Sequence, residues 1–214
     1  MFSPGLTDFA DDYLDLLDLF LPRHALVVEV RGRGGSEVPP QGYGVSDHVR
    51  DLVAVLDEEG IGRFHLMTFS RGTSWGLELA LDQPQRVASM AIGDYKAVEV
   101  QLEPSFVDQQ LATRFRGRPV GERVTRHVLE GLVTDSRDRQ LWDRLAALPF
   151  PLLVAQPGGE GGLVTDDDVS RYRAARPDVE VVVVPGAHHD IFRPDRLFFP
   201  TAVAEFIARR CPGA

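Results

Sequence analysis

The stretch "RFHLMTFSRGTSWGLELALDQPQRVASMAIGDY", residues 63–95, constrains the fold more than any other part of the chain. An apolar run ends at Phe69, two polar residues follow, helical spacing begins at once, and a second apolar run opens after Pro84. Two buried strands joined by one helix pair as parallel neighbours through a right-handed crossover. The same rhythm continues on both sides. "HALVVEVRG" reads as a buried strand, and Ser46 to Glu59 as a helix stopped at Gly60. "FPLLVAQPGG" and "DVEVVVVPGAHHD" read as two more strands, separated by a helix near Asp166 to Ala175. In the closing helix, "PDRLFFPTAVAEFIARR", Pro200 is expected near the first turn, where a missing amide costs least. "DFADDYLDLLDLF" spaces Phe9, Tyr13, Leu16, Leu17 and Phe20 three and four apart, which predicts an amphipathic helix capped by Asp8.

The predicted fold is therefore α/β, a three-layer sandwich with a mostly parallel sheet of about five strands. Residues 99–148 contain charged helical pieces and no convincing strand, so they are expected to form a small helical cap. Residues 1–98 and 149–214 form the core in this reading. With 214 residues, 43% of them hydrophobic, the chain supports one sizeable core.

Charge and cysteine usage narrow the partners. The net charge is -9, from 32 acidic and 23 basic residues, with no arginine run to track a phosphate backbone; this argues against nucleic acid and anionic membrane. Cys211 is the only cysteine, so neither a disulfide framework nor a cysteine metal site is available, as suits a reducing cytoplasm. The apolar runs are too short to span a bilayer, and Lys96 is the only lysine, a skew expected of a GC-rich bacterial genome.

The serine at the turn has two readings. Ser70 is either a helix cap or a nucleophile held up by a tight strand-turn-helix, which favours small residues two before and two after the serine. In Thr68-Phe69-Ser70-Arg71-Gly72 the glycine meets the second requirement, whereas Thr68 is only moderately small. The Arg71 amide, at the start of the helix, is placed to donate to a developing oxyanion. Two histidines follow the last predicted strand. His189 is the chosen base and His188 a loop residue, while His24, His48, His65 and His127 lack that position. For the acid, Asp94 ends its strand directly and is preferred; Glu160, in the glycine-rich "QPGGEGG", is the alternative. Asp166 to Asp168 read as helix capping rather than a metal cage.

With serine, acid and histidine in that chain order on a parallel sheet, the sequence resembles the α/β-hydrolase superfamily. "VEVRGRGGSEVPPQGY", "FHLMTFSRGTSWGLELALDQPQRVASMAIGD" and "VVVVPGAHHDIF" carry the resemblance. It implies Ser70 as nucleophile, His189 as base and Asp94 as the acid, with Glu160 near the commoner acid position. It also implies a second oxyanion amide from Leu6, in "SPGL", where Pro4 replaces a histidine. The expected activity is serine-dependent hydrolysis of a small-molecule ester, lactone or thioester without metal or cofactor. The alternative is a non-hydrolytic member of the fold, either a biosynthetic cyclase, dehydratase or rearrangement enzyme, or a binding or scaffold protein. A dinucleotide site has little support, because "RGRGGS" lacks the required glycine spacing. Phe69, Trp75, Phe106 and Trp142 are candidate pocket residues. Only three residues precede Pro4, where the superfamily has two or three strands. The expectation is direct pairing of "ALVVEV" with "RFHLMTF", or a homodimer covering the exposed sheet edge.

Overall fold

A computed structural model describes residues 1–212. Five parallel strands form the main sheet: β1 (Phe2–Ser3), β2 (Phe64–Phe69), β3 (Val87–Gly93), β4 (Leu152–Pro157) and β5 (Glu180–Val184), neighbours in that order. Six helices accompany them: α1 (Val45–Glu58), α2 (Gly72–Asp82), α3 (Ser105–Leu111), α4 (Arg126–Asp135), α5 (Asp166–Ala175) and α6 (Phe198–Arg210). The central strands alternate between two cores, as a pleated sheet covered on both faces must. Leu66, Met90, Ile92, Leu152 and Val154 face the side of α1, α2 and α5. Met67, Ala91, Leu153 and Ala155 face α6 and the Tyr13–Leu16 segment. Pro200 is the third residue of α6, inside its first turn as expected. None of the described helices is long and apolar enough to cross a membrane.

Two expectations need correction. The strand count is met, but "ALVVEV" is not one of the five strands and does not pair with β2. Met1 to Ser3 lie between them: the Phe2 amide donates to Leu26 O at 2.8 Å, the Val28 amide to Phe2 O at 3.0 Å, and the Met67 amide to Met1 O at 2.9 Å. Phe2 also bridges Val27 in parallel. The edge beside β2 is thus covered within the chain near the carboxyl ends of the strands. Towards the amino ends the two segments part around a cavity of about 440 Å³, bordered by Met1, Leu26, Phe64 and Ile207.

The second correction concerns residues 8–20, which form 3₁₀ turns at Ala10–Asp12 and Leu14–Phe20 rather than one α-helix. The cause is competition from local side-chain bonds. Asp8 accepts from the Gly5 amide at 2.5 Å instead of capping a helix, and Asp12 accepts from the Phe9 amide at 2.9 Å. Tyr13 and Leu16 are nevertheless buried, as their spacing requires.

Between β3 and β4 the chain leaves the sheet. Residues 98–148 contain α3, α4, 3₁₀ turns and short two-residue ribbons, and Val107, Val120, Val128 and Leu132 build a third apolar cluster with Tyr43.

Candidate active site

The site begins with backbone geometry at two strand ends. Ser70 follows β2 with φ +50°, and Asp94 follows β3 with φ +42°, the left-handed region that side chains seldom adopt. The Ser70 amide is fixed by Gly93 O at 2.9 Å and the Asp94 amide by Ala155 O at 3.1 Å, so neighbouring strands hold both turns.

The crowding around Ser70 explains its flanking residues. A Cβ at Gly72 would lie 2.2 Å from Pro4 O and 2.5 Å from Ser3 O, so only glycine lets the amino-terminal segment pass over the turn. At the other flank Thr68 is accommodated by a glycine one turn into α2. A Cβ at Gly76 would lie 2.5 Å from the Thr68 Cγ2 methyl. The buried Thr68 hydroxyl is satisfied by Thr73 Oγ1 at 2.9 Å and Ala91 O at 3.2 Å. The bulk that the turn excludes at residue 68 is therefore absorbed at residue 76.

Three predicted residues converge. Ser70 Oγ lies 3.0 Å from His189 Nε2, and His189 Nδ1 lies 2.7 Å from Asp94 Oδ2. The carboxylate accepts Nδ1–H, which leaves Nε2 as the acceptor for the serine proton. Asp94 is fully buried and is oriented by the Leu163 and Val164 amides at 2.9 and 2.8 Å. His189 stacks on Phe69, with ring centroids 5.3 Å apart. Glu160 takes no part: the residue is exposed, and its backbone carbonyl accepts from His188 Nδ1 at 2.6 Å. Asp168 closes a capping box with Thr165 at the start of α5, in keeping with the capping expected there.

Beside the three residues opens a cavity of about 490 Å³, lined by Leu6, Phe69, Arg71, Val100, Phe106 and Phe115 among others. Phe69 and Phe106 are in the predicted place. Trp75 and Trp142 are not: both are buried in the core on the α1–α2–α5 side of the sheet. Trp75 stacks on His48 at 4.1 Å, and Trp142 packs edge-on against Tyr172 at 4.8 Å. Spacing could not separate a core aromatic from a pocket one. The two amides expected to hold an oxyanion border the same space, for Leu6 and Arg71 both line the cavity. Neither amide donates to a protein group among the described residues. Gly5 closes the approach, since a Cβ there would lie 3.2 Å from Ser70 Cβ.

Sequence reasoning missed the polar residues around this cavity. Asp8 lines it and is buried, and desolvation pushes its carboxyl above the usual range. Arg116 joins the segment after β3 to the histidine loop: it binds Asp190 through two hydrogen bonds of 3.0 Å and donates to the Tyr13 hydroxyl at 2.9 Å. Asp190 adjoins His189. An aspartate directly after the paired histidines was the one available signal, but its partner lies 74 residues away.

Comparison with known proteins bears on the fold that carries these residues. The model of the alpha/beta hydrolase fold family matches residues 4–119, just over half of the chain. A proposed carbamate hydrolase, RutD, of Variovorax paradoxus strain S110 is 35% identical over 95 residues, which cover 43% of this chain and 36% of that protein. The chain thus matches about a third of the length of that curated relative. Among solved structures, a hydrolase from Pseudomonas aeruginosa PA01 aligns over 100% of this chain and 89% of its own, at 24% identity and TM-score 0.73. MGS-M2, an alpha/beta hydrolase enzyme from a Medee basin deep-sea metagenome library, aligns over 97% and 88%, at 15% identity and TM-score 0.78.

Proposed function

We propose that this chain, which belongs to the alpha/beta hydrolase fold family, is a serine hydrolase that cleaves a small carboxylic ester, lactone or thioester through an acyl-enzyme. The observation that carries the reading is the unbroken relay from Ser70 Oγ through His189 to the buried Asp94, at 3.0 and 2.7 Å. A mere helix cap has no use for an imidazole on its hydroxyl, nor for a buried carboxylate behind that imidazole.

In the first half-reaction Ser70 Oγ attacks the carbonyl carbon while its proton passes to His189 Nε2. Asp94 stabilises the imidazolium, and the Arg71 and Leu6 amides receive the charge on the former carbonyl oxygen. Collapse of the tetrahedral species breaks the bond to the leaving group, which takes the proton from His189. Water then repeats the sequence, with His189 as base, and releases the acid and free Ser70. All these groups come from one chain, so the proposed chemistry needs no second copy. Residues 99–148 serve as the cap and contribute Phe106 to the cavity lining. The name of the Variovorax relative points to a carbamate, whose carbonyl can undergo the same attack.

The test is covalent labelling with a fluorophosphonate probe. The protein is expected to label at Ser70, and a Ser70→Ala variant of unchanged melting temperature is expected not to. Absence of label in the unaltered protein, together with no turnover of p-nitrophenyl esters, would refute the proposal and favour a non-hydrolytic use of the fold.

A further inference from the structure

The residue after the candidate nucleophile holds a cation where a neutral substrate has no use for one. Arg71 is only 6% exposed and lines the cavity beside Ser70. Its direct partners are neutral: Nη1 reaches Val100 O at a long 3.5 Å, the Tyr95 side chain interacts with the guanidinium, and the buried Nε has no partner. Glu99 acts on Arg71 through charge alone and is shared with two other groups, facing Arg139 Nε at 3.6 Å and accepting from the Arg137 amide at 3.3 Å. Desolvation consequently pulls the Arg71 guanidinium below its usual range.

A second buried cation reinforces the first. Arg33 is 1% exposed, has an unpartnered Nη2, and is pulled down to about 9 by burial and by the charge of Arg71. The guanidinium of Arg33 lies over Trp75, 5.6 Å from the ring centroid, and its Nε donates to Leu6 O at 2.9 Å. An under-compensated guanidinium on the cavity wall, with a second buried cation close enough to act on it, favours entry of an anion, because a buried unpaired charge is costly and an incoming carboxylate pairs with it. Asp8 lines the same cavity, and burial pushes it towards its neutral form, which reduces an opposing charge.

Direction follows from the relay. His189 must protonate the leaving group, so that group lies on its side of Ser70. The acyl part takes the rest of the cavity, which Val98, Val100 and Arg71 line.

Resting on the serine-hydrolase reading, we infer that the acyl part of the substrate carries a carboxylate, bound by the Arg71 side chain. Arg71 is thereby a specificity residue through its guanidinium, apart from what its backbone amide does.

The experiment compares mono-p-nitrophenyl esters of diacids from succinate to adipate with neutral p-nitrophenyl esters of the same chain length, corrected for spontaneous hydrolysis. At least one diacid ester should show a kcat/KM ten-fold or more above its neutral counterpart. Arg71→Gln should bring that ratio to about one or below, mainly through KM, and Arg71→Lys should restore part of it. The ratio cancels any effect of the substitution on the shared chemical step. Labelling of Ser70 with all ratios near one, or a ratio that survives Arg71→Gln, overturns this inference and leaves the hydrolase intact. No labelling and no turnover of either series removes both.

Discussion

Replacing Asp94 with asparagine separates its chemical role from its structural one. The Leu163 and Val164 amides donate to Oδ1 at 2.9 and 2.8 Å, and only Leu163 also reaches Oδ2, at 3.1 Å, so the asparagine carbonyl oxygen will settle at Oδ1. Its amide nitrogen then occupies the place of Oδ2, 2.7 Å from His189 Nδ1, where it presents a donor to a donor. His189 relieves the clash by moving its proton to Nε2, which removes the acceptor that Ser70 needs at 3.0 Å. Loss of the correct tautomer in a serine–histidine–aspartate site costs on the order of 10⁴ in rate, or about 5.5 kcal/mol on the barrier. Because both loop amides keep an acceptor, the stability cost is about one hydrogen bond, roughly 1–2 kcal/mol. The assay pairs ester turnover with urea unfolding, and Glu160→Gln serves as the control. Turnover in Asp94→Asn above a tenth of the original, or an equal loss in Glu160→Gln, would refute the reasoning.

Three further outcomes are expected. Gly76→Ala should destabilise the protein by about 1–3 kcal/mol, because the new methyl meets Thr68 Cγ2 at 2.5 Å; adding Thr68→Ser, which removes that methyl and keeps the hydroxyl, should recover most of the loss in a double-mutant cycle. Arg116→Met should raise KM and increase amide exchange around His189, because Asp190 loses both hydrogen bonds from the facing segment; an unchanged exchange pattern would rule out that coupling. Burial holds His48 well below 6.5, with Nδ1–H donating to Gly44 O at 2.8 Å and the neutral ring stacked on Trp75. The unfolded chain therefore binds the extra proton below pH 6.5, so this contribution is present above that pH and lost as pH falls. The slope approaches about 1.4 kcal/mol per pH unit, and unfolding curves of His48→Gln should lack it.

Much of this was legible in the sequence because strand-helix alternation and chain order are local signals. Ser70, Asp94 and His189 each follow a strand end, and parallel strands bring such ends to one edge of the sheet. The role of Met1 to Ser3 was hidden: three residues carry no periodicity, and only the open gap beside β2 makes a strand of them. The segment after Asp8 misled for the opposite reason, since correct apolar spacing does not reveal that its aspartates bind nearby amides. Trp75 and Trp142 share aromatic character with the pocket residues, and only the core in which each packs distinguishes them. The guanidinium of Arg71 was visible as a residue beside the serine, but its burial without a direct ion pair is a property of the packed cavity.

The packing of Thr68 against Gly76 means that this turn cannot be recognised from five residues. A search pattern demanding glycine two places ahead of the serine passes over chains like this one, whereas a nine-residue pattern that accepts a methyl-bearing side chain there, provided position 76 is bare, retrieves them. Relatives should accordingly show the two sites exchanging size, with a larger residue at the helical site tolerated wherever the strand site shrinks.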